Sequence, residues 1–100
     1  MTVFVSTPTE ILTSALLELF RSLGLEAHSD LAQEANVAVY NLIGASQPYP
    51  PPQATMPTFA IVGSDARTQD LIREGYSGLF GPETSARDVP EAFEAVLPDV

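Results

Sequence analysis

"NVAVYNLIGAS", residues 36–46, decides the fold. Val37, Ala38, Val39 and Tyr40 form a short apolar run, the pattern of a strand buried on both faces. Asn41 follows at the point where that strand surfaces. In open α/β sheets, ligands and chemistry gather outside the carboxyl ends of the strands. Asn41 therefore stands where a functional residue is expected, and its side chain is an amide rather than an acid, a thiol or a hydroxyl.

Strands and helices alternate outward from this stretch. "TVFVS" (2–6) is a second buried-strand pattern. In the "TPTE" that follows it (7–10), Thr7 is expected as N-cap, Pro8 at the first helical position and Glu10 three residues after the cap, a capping box. The helix runs through "ILTSALLELFRSLG", with Ile11, Leu12, Ala15, Leu16, Leu19 and Leu23 forming an apolar face and Gly24 stopping it. "LEAHS" (25–29) suggests a short strand, and "SDLAQEA" (29–35) leaves room for about two helical turns. Five prolines within 48–57 exclude a continuous helix there and predict an exposed, partly polyproline-like loop. "TFAIVG" (58–63) predicts a strand, "SDARTQDLIREG" (64–75) a helix closing on Gly75, and "YSGLFG" (76–81) a fifth strand. "VPEAFEAVL" predicts a last helix starting near Pro90, with Val89, Phe93 and Val96 or Leu97 inward.

Alternating strands and helices imply right-handed crossovers and a parallel sheet with helices on both faces. The expected fold is one α/β domain over residues 1–100, flavodoxin-like, with a five-stranded parallel sheet in the order 2-1-3-4-5. A smaller sheet lacking the second strand is the alternative.

Charge narrows the function. Thirteen acids against four bases give a net charge of −9, and all four bases are arginines, at 21, 67, 73 and 87. They are scattered, so this chain lacks the basic stripe that phosphate backbones or anionic membrane surfaces require. Nucleic acid and membrane are thus not expected partners. With no cysteine there is no disulfide, thiolate metal site or cysteine nucleophile. No stretch reaches membrane-spanning length, and "MTVFVSTPTE" carries no positive n-region or cleavage pattern, so a cytoplasmic location is the default expectation.

Three motifs have plainer explanations than chemistry. Ser6, His28 and Asp30 or Asp65 outline a Ser–His–acid arrangement, but no G-x-S-x-G elbow accompanies them. "GSDAR" (63–67) could present N–H groups to an anion, and simple helix capping accounts for it. "QPYPPPQ" (47–53) resembles a polyproline ligand, and an exposed loop accounts for it as well. No histidine or acid cluster has metal-ligand spacing.

Several stretches resemble the receiver domains of bacterial two-component response regulators. "GYSGLFGPETSARDVPEAFEAVL" (75–97) is similar to that family's "GARGYLLKDASPEELLEAIRAVL" and runs beside it without a gap. "LELFRSLGLEA" (17–27) is similar to the end of a receiver's first helix and the start of its second strand. "NVAVYNL" (36–42) is similar to "DVVLLDL", the strand ending on the phosphorylated aspartate.

A working receiver phosphorylates that aspartate with the help of Mg²⁺, an acidic pair after the first strand, a hydroxyl residue after the fourth and a lysine after the fifth. The cation wants carboxylate oxygens, while the lysine and hydroxyl bind the phosphoryl oxygens. The resemblance places Asn41 at the acceptor, and an amide cannot form the acyl phosphate. Ser6 and Thr7 fall at the acidic pair, Gly63 with Ser64 beside it at the hydroxyl, and Pro82, or Gly81 with a one-residue shift, at the lysine. The chain has no lysine at all. The family's third helix is expected to be replaced by the proline loop.

The resulting expectation is a degenerate receiver in bacterial, transcription-linked regulation. It uses no metal and no cofactor, does no catalysis, and acts by contact with a protein partner or a second copy. Tyr76, Leu79, Phe80 and Phe93 are the candidate interface, on the face made by the fourth strand, the following helix, the fifth strand and the last helix. The alternative is a small-molecule or anion sensor at the carboxyl edge of the sheet.

Overall fold

The computed structural model describes residues 2–7, 9–30, 33–43, 56–63, 68–81, 84–85 and 87–96. The elements are β1 (Thr2–Ser6), α1 (Glu10–Ser22), β2 (Glu26–His28), β3 (Val37–Asn41), β4 (Thr58–Ile61), α2 (Thr68–Glu74), β5 (Gly78–Phe80) and α3 (Asp88–Val96). All neighbouring strands pair in parallel, in the order β2-β1-β3-β4-β5. The expected five-stranded sheet and its order are therefore present. Among the described residues no helix is long and apolar enough to cross a membrane.

β3 is central and buried along its whole length, which explains its unbroken apolar run. Its side chains alternate between two cores. Val37 and Val39 join Val3, Val5, Phe20, Phe59, Phe80, Val89 and Phe93 under α1 and α3. Ala38 and Tyr40 join Phe4, Ala60, Leu71 and Tyr76 under α2. Helices thus cover both faces. Small residues at Ala38 and Ala60 leave room on the second face for the Tyr40 and Tyr76 rings, which meet edge-on at 6.2 Å.

The start of α1 differs from expectation. Thr9, not Thr7, is the N-cap: its backbone is extended, and its Oγ1 accepts from the Leu12 N–H at 3.4 Å. The Thr7 hydroxyl is already committed, 2.5 Å from the Thr9 carbonyl and 2.6 Å from Thr13 Oγ1. Pro8 lies outside the described residues. Glu10 becomes the first helical residue, where its charge favours the helix dipole.

The buried face of α1 is also turned from the expected one. Phe20 is fully buried against Phe93, with ring centroids 6.1 Å apart, and Leu16, Leu17 and Leu23 pack around it. Ile11 is left 83% exposed, Leu12 37% and Leu19 38%. The largest side chain takes the core position, and the residues three or four steps away follow it in.

Both α1 and α2 end as their glycines suggest. Gly24 and Gly75 have φ of +84° and +111°. The N–H groups of Gly24 and Leu25 donate to the carbonyls of Arg21 and Phe20 at 3.1 and 3.0 Å. Gly75 and Tyr76 do the same to Ile72 and Leu71, at 3.1 and 3.3 Å. Each is a Schellman turn, whose left-handed residue costs a glycine little.

Between β2 and β3 the expected two-turn helix is not formed by the described residues of 29–36. A single turn closes from the Gln33 N–H to the Asp30 carbonyl at 3.1 Å. The His28 ring ties the segment down: the Asp30 N–H donates to Nδ1 at 3.3 Å, which leaves the proton on Nε2 for the Glu34 carbonyl at 3.0 Å. The start of β3 is fixed by Asn36, whose N–H donates to the Thr2 carbonyl and whose Oδ1 accepts from the Thr2 N–H, both at 2.9 Å. The proline loop, and with it the expected loss of a third helix, falls outside the described residues. α3 begins at Asp88, two residues earlier than expected. Pro90 sits in its first turn, where no intrahelical N–H is missed.

Candidate functional site

The order of strands reverses between β1 and β3, so the crevice beyond their carboxyl ends is the place where this topology collects function. Parallel register sets Ser6 beside Tyr40 and Asn41 beside Ile61. Ser6 and Asn41 therefore end the two strands that flank the reversal.

Asn41 is 7% exposed. Its Oδ1 accepts the Ile43 N–H at 3.0 Å, and the Leu42 N–H continues the ladder to the Ile61 carbonyl at 2.9 Å. The amide thus closes an Asx turn at the end of β3, a backbone role that needs no charge. Ser6 is exposed, and Thr7 is held in the Thr7–Thr9–Thr13 cluster. Gly63 follows β4, half-buried. Ser64 and Pro82 lie outside the described residues. At Gly81, the N–H donates to Thr84 Oγ1 at 3.0 Å and the carbonyl accepts from the Thr84 N–H at 3.1 Å. A Cβ built on Gly81 would meet nothing within 4 Å, so a side chain would fit there.

One carboxylate that sequence reasoning did not assign to the edge, Glu10, comes to it, and Asp30 lies there as the sequence suggested. A cleft of about 590 Å³ opens between the end of β1, the start of α1 and the end of β2, lined by Ser6, Thr7, Glu10, Thr13, Ser14 and Asp30 among others. It lies on the β2 side of β1, and Asn41 does not line it. A smaller cleft of about 410 Å³, lined by Thr2, Glu34, Asn36 and Met56, is at the opposite, amino-terminal edge of the sheet, away from Ser6 and Asn41. Among the described residues no three acids or histidines gather as a metal site. Both His28 nitrogens are engaged by main-chain groups, so the ring is not free to take a proton from Ser6.

Three of the four candidate interface residues are interior. Tyr76, Phe80 and Phe93 are buried, and Leu79 alone is half-buried. Phe80 stacks on Phe59 at 5.1 Å, and Phe93 meets Phe59 edge-on at 5.2 Å. Burial, then the neighbouring Tyr40 and Glu74, push the Tyr76 hydroxyl up from 10.0 to about 12. Apolar residues in the sequence of this face mostly build the core beneath it.

No protein-family model matches the chain, and no curated protein does. Solved structures do. The first receiver domain of ShkA, solved in complex with c-di-GMP, superposes with a TM-score of 0.74 at 18% identity, covering 98% of this chain and 94% of that one. A response regulator receiver domain protein from Clostridium thermocellum gives 0.69 at 12% identity, over 94% and 91%. A CheY-like response regulator from Mesorhizobium loti gives 0.67 at 12% identity, over 94% and 96%. The chain covers 24% of full-length ShkA. At these identities the likeness is one of architecture: this chain has the CheY-like fold of response regulator receiver domains.

Proposed function

We propose that the chain is a receiver-fold signalling module of bacterial two-component regulation that works without phosphoryl transfer, by surface contact with a protein partner or a second copy. One observation carries this reading: the residue ending β3 is an asparagine whose side-chain oxygen is spent on a backbone turn. An amide at that place neither accepts a phosphoryl group nor supplies the anionic oxygen that Mg²⁺ favours. The rest of the edge agrees with it, since Ser6 and Thr7 carry hydroxyls and the whole chain has no lysine. In this reading the module is not an enzyme and uses no cofactor.

The second reading is a small-molecule sensor at the carboxyl edge. The hydroxyl-rich cleft beside Ser6 favours it, as does a structural neighbour solved with c-di-GMP. A ligand held there would raise thermal stability in a saturable way.

Amide NMR titration of the purified chain with Mg²⁺ and then beryllofluoride tests the first reading. Unchanged spectra are expected. Saturable shifts around Asn41, Ser64 and Gly81 overturn it, because the edge would then still bind a phosphoryl mimic. A parallel titration with c-di-GMP tests the second reading, with saturable shifts at Ser6, Thr13 and Ser14 as its signature.

A further inference from the structure

The single histidine of the chain, His28, ends β2 and bonds to described residues on the way to β3. Its two ring nitrogens do opposite things. Nδ1 accepts the Asp30 N–H at 3.3 Å, and Nε2 faces the Glu34 carbonyl at 3.0 Å, an acceptor that only an Nε2–H satisfies. The two bonds together require the neutral ring in one tautomer. We propose that His28 is a proton-operated switch: protonation makes Nδ1 a donor, breaks its bond to the Asp30 N–H and turns it to the Asp30 carboxylate.

Two arrangements compete at this ring. A protonated ring donates from both nitrogens, so the Glu34 bond survives while two hydrogens meet at the Asp30 N–H. The added charge is nevertheless well placed. Asp30 and Glu34 follow the ring in the chain, and Glu26 precedes it on the same side of β2, its carboxylate accepting from the Thr2 hydroxyl at 3.2 Å. β1 carries no charged residue and sets the Phe4 ring 6.1 Å from the His28 ring. α1 packs on the opposite face, where Ala27 joins Phe20, and its Arg21 is committed to the Ala27 carbonyl at 3.1 Å. Glu10 of α1 lines the same cleft as Asp30. The surrounding acids favour the cationic ring, and the Asp30 N–H favours the neutral one. Each form therefore has its own set of partners within one fold.

The switch acts on one end of the sheet. Asp30 lines the cleft at the carboxyl edge, with Ser6 and Thr13, whereas Glu34 lines the cleft at the amino-terminal edge, with Thr2 and Asn36. Protonation breaks the first bond and keeps the second. It therefore changes the wall of the carboxyl-edge cleft and leaves the amino-terminal one in place. Acidity is thus read at the edge where this topology collects function.

This switch goes beyond both readings of the function, and its failure would leave the titrations that test them standing. NMR of the purified chain as a function of pH tests it. At the alkaline end the ring nitrogen shifts should show a proton on Nε2 alone. As the pH falls from about 8 to about 5.5, the range in which histidine ordinarily titrates, the Asp30 amide proton should move upfield with the midpoint of the ring. The amide of Asn36, bonded to the Thr2 carbonyl, should move much less. Far-ultraviolet circular dichroism should stay constant. His28→Asn keeps an oxygen acceptor near the place of Nδ1 and does not titrate, so its Asp30 amide should stay fixed across the range. Asp30→Asn should lower the midpoint of the ring further than Glu26→Gln does, because it removes the carboxylate that receives the turned Nδ1. A proton on Nδ1 at the alkaline end overturns the proposal. So does an Asp30 amide that ignores the ring, a pH response that survives in His28→Asn, or an equal effect of Asp30→Asn and Glu26→Gln. Loss of the circular dichroism signal also overturns it, since the protonated chain would then be unfolded rather than switched.

Discussion

Asn41 illustrates how one side chain can hold a place without its chemistry. Its oxygen accepts one backbone N–H, a task a carboxylate performs equally well. Asn41→Asp keeps the acceptor but places a charge at a position 7% exposed and should melt below wild type, while Asn41→Ala removes the acceptor and should cost about 1–2 kcal/mol in chemical denaturation. If the proposed function holds, Asn41→Asp also stays unphosphorylated by a small-molecule phosphodonor, since Ser6 and Thr7 give the cation no carboxylate. Tyr76 makes a second single-residue case. Its hydroxyl is protonated more firmly in the folded state, at about 12 against 10.0. The folded chain thus holds a proton that the unfolded chain gives up in that range. This contribution is complete below pH 10 and is lost as pH rises from 10 towards 12. Urea unfolding in this window should show the decline in wild type and a smaller one in Tyr76→Phe. The location of Asn41 at a strand end was legible from the sequence, because a short apolar run ending on a polar residue has few other meanings. Tyr76 comes directly after the Gly75 turn, where its N–H closes on the Leu71 carbonyl and its ring joins the core under α2, the interior place that an apolar residue of this stretch usually takes.

At the scale of elements, local signals were legible where they force the backbone and illegible where several residues could serve. Gly24 and Gly75 stop their helices as expected, since a left-handed residue at a helix end is strongly biased towards glycine. The N-cap moved from Thr7 to Thr9 because two threonines offer the same oxygen two residues apart. The buried face of α1 turned because the helix has more apolar positions than the core accepts, and only tertiary packing chooses among them. That choice is measurable. Phe20→Ala should cost about 3–5 kcal/mol, while Ile11→Ala should stay within about 0.5 kcal/mol. Gly78, by contrast, is set by a close approach: a Cβ there would lie 2.6 Å from the Phe59 ring. That ring is clamped between Phe80 and Phe93. Gly78→Ala should destabilise by about 1–3 kcal/mol, and combining it with Phe59→Leu should cost less than the two changes summed.

For the whole molecule, the sheet order was the most legible feature, because right-handed crossovers between parallel strands leave few topologies for five strands. The segment between β2 and β3 was less so: its described residues are held by side-chain-to-backbone bonds of the His28 ring and by the long-range tie of Asn36 to Thr2, which no periodicity announces. The assignment of aromatic residues to the two cores has a spectroscopic consequence. The chain has no tryptophan and three tyrosines. Tyr40 and Tyr76 lie under α2, while the core under α1 and α3 contains phenylalanine alone among aromatics. Intrinsic emission from these two tyrosines therefore watches one side of the sheet and is almost blind to the other. Circular dichroism of the helices, most of whose length belongs to α1 and α3, watches chiefly the opposite side. Coincidence of the two unfolding curves would mean that the sheet couples its two layers into one cooperative unit. A tyrosine signal that changes first would mean that the layer under α2 loosens while the phenylalanine layer still holds.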